Sequence, residues 1–232
     1  MSAEGIGQSR PEHSEAARGK EERVLPFDVK LGTTPFELFT EIIPRTHRQL
    51  VPKHGDREEL VVAVSVDGDP ATRALRCVVR GADITVTAVS GNAEPEAHIY
   101  LQLKADSLQA FLNDWATDKK YLPKFSPKGA SIFTDPRVLR RIAHVTGSIE
   151  LALPDFPGGR ASLRAGAFGG RTARAKIDRD PDVLVESSNE AFDQLLAGTL
   201  RPEEALSDSR VTVTGRKMVA LQFAFALAPF MS

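Results

Sequence analysis

Histidine and cysteine are the side chains that most often bind transition metals or act in nucleophilic catalysis, and this 232-residue chain has five histidines and one cysteine. His47 and His54 lie seven residues apart, which is not the spacing of a metal-binding pair on a helix, and no cysteine or acidic cluster accompanies them. No spacing of serine, histidine and aspartate indicates a catalytic triad. We therefore predict solvated histidines, no cofactor, no metal site and no enzymatic activity.

The single cysteine, Cys77, lies in the run ALRCVV, which has the composition of a β-strand. A free cysteine in such a run is either a buried structural thiol or a reactive one, and burial is the more common case. One thiol cannot form an internal disulfide, which is typical of a reducing compartment, so we predict a cytoplasmic protein.

Two glycine pairs, at 158–159 and 169–170, lie between strand-like segments. A phosphate-binding loop needs its glycines between a strand and a helix, so these pairs predict turns instead. The basic residues around them fall mostly on one face of a predicted hairpin: Arg160, Arg164, Arg171, Arg174 and Lys176. That face is either simply solvated or makes transient contact with an anionic membrane surface or a lipid headgroup.

The overall charge and composition narrow the possible partners. A formal net charge of −1 disfavours a nucleic-acid partner, because phosphate neutralisation needs a basic face. Residues 1–24 have no apolar signal-peptide core and too few large apolar side chains to fold, so they predict a flexible tail. No run of 18 apolar residues occurs, so we predict no membrane span.

The pattern after the tail predicts a first α+β unit over residues 25–116. Thr33 and Thr34 precede Pro35, which indicates a capped helix start with proline at its first position. Strand patterns follow at 60–66, 72–80, 84–89 and 98–104, and a helix is predicted after them.

Residues 117–135 have neither helical nor strand periodicity, so they predict a linker before a second unit at 136–232. This unit has a short helix after Asp135, a strand at 148–153 and a predicted hairpin that pairs 161–165 with 172–177. A strand at 182–186, a helix capped by Ser188 or Asn189, a small helix at Pro202 and a last strand at 211–213 complete the pattern.

The two predicted units have similar patterns of apolar residues. When the chain is shifted by 84 positions, residues 97–113 fall on residues 181–197 without a gap, and their apolar positions coincide. Identity is poor, so the pattern indicates either a tandem duplication or two unrelated units with similar antiparallel strands.

The segment LLAGTLRPEEALSDSRVTVTG, at 195–215, resembles the C-terminal signature of the sterol carrier protein type 2 family of lipid-binding domains. That signature runs from an apolar helix ending at a glycine, through a proline turn, to a strand that closes on a second glycine. Gly198, Pro202 and Gly215 take these places here. Ser209 departs from the family's glycine, and Arg216 departs from its usual Asp or Asn.

The resemblance covers about 137–231, and it extends to about 35–116 as a degenerate copy. It implies an α+β fold of two sterol-carrier-like units, each a twisted, mostly antiparallel five-stranded sheet covered by helices. It also implies binding instead of catalysis, since no residue of the signature is catalytic.

The apolar C-terminal segment 216–231 closes the chain and is either a core-closing element or the wall of a lipid tunnel. The resemblance favours non-enzymatic binding, and possible transfer, of a lipid or other long apolar ligand in a hydrophobic cavity. The candidate ligand-binding residues are Leu195, Leu196, Met218, Leu221, Phe223, Phe225, Leu227 and Phe230. The alternative is an accessory module with the same fold and a filled cavity that serves a partner protein.

Overall fold

The computed structural model describes residues 29–51, 59–90, 95–118, 136–156, 159–174, 180–196 and 199–227. The predicted tail at 1–24 and nearly all of the predicted linker lie outside these ranges. The strands are β1 (Leu60–Asp67), β2 (Leu75–Arg80), β3 (Asp83–Ala88), β4 (Glu96–Ala97), β5 (Ile99–Lys104), β6 (Thr146–Leu153), β7 (Ala161–Phe168), β8 (Ala173–Arg174), β9 (Val183–Ser187) and β10 (Val211–Gly215). The helices are α1 (Pro35–Glu37), α2 (Ile43–Leu50), α3 (Ala105–Asp118), α4 (Pro136–Ala143), α5 (Asn189–Leu196), α6 (Pro202–Ser207) and α7 (Lys217–Leu227).

The first helical segment begins where the hydroxyl cap was predicted. Thr34 Oγ1 accepts a hydrogen bond from the Glu37 amide at 3.2 Å, and Glu37 Oε2 accepts one from the Thr34 amide at 3.0 Å. This reciprocal capping box satisfies two amides that a helix start leaves free. A π-helical turn at Leu38–Ile42 joins α1 to α2, so the chain stays helical through Pro44.

The strands form one continuous eight-stranded sheet in the order β10-β9-β6-β7-β5-β1-β2-β3, and β4 and β8 form a separate two-stranded sheet. The mixed α+β class with a mostly antiparallel sheet is therefore confirmed. The expectation of two five-stranded sheets is wrong, because β5 and β7 pair antiparallel and fuse the halves into one sheet.

This seam also explains why the described part of 172–177 does not pair with 161–165 as the predicted hairpin required. One side of β7 pairs with β6, and the other side pairs with β5, so no edge of β7 is left for the segment that follows it. The described part of that segment, Ala173–Arg174, pairs instead with Glu96–Ala97 from the first half.

The same strand arrangement occurs twice in the sheet. In the first half, β1 pairs antiparallel with β2 and parallel with β5. In the second half, β6 pairs antiparallel with β7 and parallel with β9. The strand starts at 99 and 183 and the helix starts at 105 and 189 keep the 84-residue shift. The topology therefore repeats, and descent from a duplication remains a prediction.

The helices lie on one face of the sheet. Alternate residues of β1, Leu60, Val62, Val64 and Val66, point into the main core that the helices share with the sheet. The opposite face carries a small cluster in which the Tyr100 ring packs 5.8 Å from the Phe168 ring. A Cβ at Gly166 would overlap the Tyr100 ring, so glycine is required where the two halves meet.

Candidate apolar ligand site

A row of apolar side chains crosses five neighbouring strands on the helix-facing side of the sheet. The strand registers place Val213, Val185, Leu151, Leu163 and Leu103 side by side, from β10 through β9, β6 and β7 to β5. Neighbouring strands lie about 4.8 Å apart, so the row spans roughly 19 Å. We call the part of this face formed by Leu103, Leu151, Leu153, Ala161, Leu163 and Val185 the central trough.

The central trough is incompletely covered. Leu151 is 40% exposed, and the other five members are half-buried. The same row continues from Leu103 onto β1 at Val66, which is fully buried at 0% exposure. The exposure is therefore greatest on β6 of the second half, and it leaves apolar surface open on the side of the sheet where the helices pack.

Helices flank the trough without closing it. The helix α3 packs against β5 and β7, while α7 packs against β6, β9 and β10. The α7 contacts lie at the start of β6, because Val219 approaches Gly147 and the Gln222 side chain accepts a hydrogen bond from the Thr146 amide at 3.4 Å. Leu151 is four residues further along β6, about 13 Å away, beyond these contacts.

The far side of the trough is bounded by a small cluster under α5 and α6. Ala191, Leu200, Ala205 and Val211 are its buried members, and Leu195, Val185 and Val213 pack against them. The trough is thus an apolar floor with helices along its edges, which is the arrangement that holds ligands mainly by apolar burial.

The helix α7 is apolar on two sides that face different surroundings. Val219, Phe223 and Ala226 are 2%, 5% and 5% exposed and pack into the main core. Met218, Leu221 and Phe225 are 67%, 47% and 73% exposed and lie together on the outer side, which we call the outer stripe. None of the helices in the described ranges has the length and apolar character of a transmembrane span.

The eight candidate residues named from the sequence lie in different parts of the structure. Phe223 lies in the core, whereas Met218, Leu221 and Phe225 form the outer stripe. Leu195 packs in the cluster under α5 and α6. The side chains of Leu196 and Leu227 and the whole of Phe230 lie outside the described residues.

The trough itself was not among the candidates. Its strands show in the sequence as alternating apolar positions, such as Ile149, Leu151 and Leu153. Alternation indicates which face of a strand is apolar, and it does not indicate whether a helix covers that face. Only the packed structure distinguishes Leu151 from its buried counterparts in β1.

A polar brace fixes the start of α7 against the sheet. Asp182 Oδ2 accepts hydrogen bonds from the Ser148 amide at 2.9 Å and from its hydroxyl at 3.3 Å, and Arg216 Nη1 donates to Oδ1 at 3.1 Å. Burial alone raises the pKa of Asp182, but the bonds from Ser148 and the Arg216 charge together hold that pKa below its usual value. Arg216, the departure from the family signature, therefore has a structural partner.

Two more residues of the signature have a backbone explanation. Gly215 has φ of +103°, and a Cβ there would overlap the Asp182 carbonyl oxygen. Ser209 has φ of +57°, and among the described residues it is the only non-glycine residue with a positive φ. The position where the family has glycine thus keeps the left-handed conformation that glycine favours.

Two residues of the basic face predicted around β7 pair closely with carboxylates, and Lys176 of that face lies outside the described residues. Arg164 donates to Glu150 Oε2 at 2.7 and 3.3 Å, and Arg160 donates to Glu186 at 2.7 Å. A cavity of about 200 Å³ adjoins this network on the sheet face opposite the trough, lined in part by Arg164 and Glu150. Transient contact of this face with anionic membranes remains a prediction.

A second cavity, of about 530 Å³, lies beside β1, β2 and the short β4. Its lining includes Glu59, Arg76, Glu96 and His98. The Val61 amide donates to His98 Nδ1 at 3.0 Å, which ties this histidine to the sheet. Within the described ranges, no three His, Cys, Asp or Glu side chains are placed to share a metal ion.

Two sequence interpretations of reactive side chains have different outcomes. Cys77 is 6% exposed, which confirms a buried thiol, and burial raises its pKa to about 12. The prediction of a solvated His47 is wrong, because its ring is fully buried and Nε2 lies 2.9 Å from the Gly81 carbonyl oxygen. This contact ties α2 to the turn between β2 and β3.

Comparison with solved structures finds sterol carrier protein domains. Sterol carrier protein domain 2 of Helicoverpa armigera is 18% identical, with 48% of this chain and 88% of that chain covered, at a TM-score of 0.36. The apo form of sterol carrier protein 2 from Yarrowia lipolytica is 19% identical over 35% and 72% of the two chains, at a TM-score of 0.28. A further sterol carrier protein 2 structure is 22% identical over 49% and 88%, at a TM-score of 0.31.

No family model and no curated protein matches the chain. Each of these TM-scores is below 0.5, and the proposals below therefore rest on the residues of this chain.

Proposed function

We propose that this protein binds a lipid or another long apolar molecule without transforming it, and that the ligand lies in the central trough. The observation that carries the proposal is the 40% exposure of Leu151 in the middle of an apolar row whose continuation on β1, Val66, is fully buried. The trough crosses four strands, from Val185 on β9 to Leu103 on β5, and this span of about 14 Å suits an extended hydrocarbon chain better than a compact polar molecule.

The binding free energy would come from covering the trough. Burial of apolar surface contributes about 25 cal/mol per Å², and the leucines at 151, 153 and 163 offer such surface without a directional polar contact. The side chains of the trough therefore favour a hydrocarbon over a polar group. They do not select any particular headgroup. Transfer between membranes is an extension of this proposal.

The sequence alone suggested the C-terminal segment, which contains α7, as the wall of the cavity, and this proposal places the ligand beside the sheet instead. The core side of α7 is packed and offers no space for a ligand, because Phe223 is only 5% exposed. The helix instead borders the trough near the start of β6, and its outer stripe faces away from the core. Leu151 and Leu163 replace the α7 side chains as the main expected contacts.

The test compares lysine substitutions at three exposed apolar side chains in the full chain. Leu151→Lys places a charge on the trough floor, Leu206→Lys places one on α6 outside the trough, and Phe225→Lys places one on the outer stripe. Leu206 is a matched control, because it is also a leucine and is 50% exposed. Uptake of a fluorescent fatty acid is measured for each variant, and thermal unfolding shows that each one folds.

We expect Leu151→Lys to weaken uptake at least tenfold and Leu206→Lys to leave it unchanged. Uptake that survives Leu151→Lys but is lost in Phe225→Lys would move the site to the outer stripe. An organic extract of the purified wild-type protein is expected to contain lipid, and an empty extract together with no uptake would reject the proposal.

A second candidate is an accessory module that binds a partner protein and no ligand. The observation in its favour is the outer stripe, where Met218 and Phe225 are 67% and 73% exposed on a helix whose other side is fully packed. Contiguous exposed apolar side chains often mark interaction surfaces. This reading predicts no lipid in the extract and a partner whose binding is lost in Phe225→Lys.

A further inference from the structure

The strand β3 is one of the two edges of the eight-stranded sheet. One of its sides pairs with β2 over six residue pairs, from Arg80 opposite Asp83 to Leu75 opposite Ala88. Its other side meets no strand in the described part of the chain. An edge strand presents a row of backbone donors and acceptors that can pair with another strand.

The helix α2 packs against β3 on the helix-facing side, but the strand lacks most of the sequence features that usually prevent pairing at an edge. The strand begins with Asp83, whose carboxylate pairs with Arg48 of α2 at 3.0 Å, and the residues that follow, 84–89, read ITVTAV, with no charge, proline or glycine. Proteins commonly protect an edge with lysine, proline, a bulge or a very short strand. The opposite edge, β10, has five residues, is followed directly by α7, and is flanked by Arg210 and Arg216. The two edges of one sheet therefore differ in their protection.

The side chains of β3 are self-complementary about Val86. Ile84, Val86 and Ala88 point to the helix-facing side, and Thr85 and Thr87 point to the other side, where both are exposed. In an antiparallel pair centred on Val86, each Thr85 lies opposite Thr87 of the second copy, and Ile84 lies opposite Ala88. Threonine pairs and apolar pairs are both favourable across antiparallel strands.

We propose that β3 pairs antiparallel with β3 of a second copy of this chain, so that two sheets join into one across a two-fold axis at Val86. The chain already uses this kind of joint at its own seam, where β5 and β7 pair over five residues and connect two half-sheets. A closed two-fold arrangement uses the same edge of both copies and leaves the protected β10 edges outside. This inference is independent of the proposed ligand site.

The experiment uses charge pairs at the two exposed threonines of the full chain. One variant carries Thr85→Lys and Thr87→Lys, and the other carries Thr85→Glu and Thr87→Glu. Each variant alone places like charges opposite each other twice across the joint, whereas a mixture of the two places opposite charges there. The control is Thr212→Lys, an exposed threonine on β10. Association is measured by analytical ultracentrifugation over a range of concentrations.

We expect the wild type and Thr212→Lys to form the same dimer, and each charged variant to raise the dimer dissociation constant on the order of tenfold or more. Mixing the two charged variants should restore a heterodimer. Arg76 lies opposite Thr87 within the chain, so the lysine variant should unfold slightly earlier than the glutamate variant. A monomeric wild type, dissociation by Thr212→Lys, or no recovery in the mixture would overturn the proposal.

Discussion

The two halves of the sheet have the same strand arrangement but differ in how their helices cover it. In the first half, the helix-facing side chains of β1 range from 0% to 7% exposed, and Leu75 of β2 is fully buried. In the second half, the equivalent face of β6 carries Leu151 at 40% exposure. The same topology therefore forms a closed core in one half and an open apolar surface in the other.

The difference shows that a repeated fold need not repeat a binding site. Among the described residues, no strand of the first half corresponds to β10, and β7 of the second half pairs with β5 at that place in the sheet. The closed half contributes most of the buried core, and the open half retains apolar surface that folding does not use. We infer that stability and binding are divided between the halves.

The sharpest test of this division is a pair of leucine-to-alanine changes. Leu75→Ala removes a fully buried side chain, and the lost burial and the cavity it leaves should cost about 3 kcal/mol of unfolding free energy. Leu151→Ala removes a 40% exposed side chain and should cost less than about 1 kcal/mol. Chemical denaturation measures both, and similar costs would contradict the division.

The seam between the halves can be broken from inside the sheet. Gly166→Ala places a methyl group where the Tyr100 ring lies, so we expect a loss of about 2–3 kcal/mol of unfolding free energy. A double variant with Tyr100→Leu should recover part of that loss, because the smaller side chain frees the space. Additive losses in the double variant would show that the ring is not the cause.

The brace at Asp182 should make the second half more sensitive to acid. Because the pKa of Asp182 is lowered in the folded state, its stabilisation is present above the unfolded pKa of about 3.9 and is lost as the pH falls through the folded value. Asp182→Asn should lower the unfolding free energy at neutral pH by about 1 kcal/mol. It should also flatten the acid side of the stability profile, and an unchanged slope would contradict the assignment.

The smallest expected effect is a gain of stability at the departure from the family signature. Ser209 holds φ of +57°, so Ser209→Gly should raise the unfolding free energy by about 0.5–1 kcal/mol. Ser207→Gly, at the last residue of α6, is the control and should lower stability slightly, because glycine weakens helices. Thermal unfolding of both variants gives the comparison, and destabilisation by Ser209→Gly would contradict it.

Much of the local structure could be predicted from the sequence because it depends on neighbours in the chain. The Thr34 cap and the alternating pattern of β5 are determined by residues within a few positions, and the apolar run around Cys77 correctly indicated a buried thiol. The 84-residue shift also predicted that a strand and a helix would recur together, and they do, at 183 and 189.

The site was predicted less well, because exposure depends on residues that are distant in the sequence. The C-terminal segment was interpreted as either a core-closing element or a tunnel wall, and the structure places its Phe223 in the core, because which side of the helix faces the core depends on where β6 lies. The burial of His47 was missed for the same reason, since its partner, the Gly81 carbonyl, is 34 residues away.

The sequence by itself determined the α+β class, the order of the main helices and strands and the apolar face of the alternating strands, because periodicity and capping act over a few residues. Only the tertiary structure decided that the halves share one sheet and that β8 leaves β7 for β4. The exposure of Leu151 is likewise decided only by the tertiary structure. Distant segments compete to pair with the same strand edge or to cover the same sheet face, and no local sequence pattern indicates which segment does so.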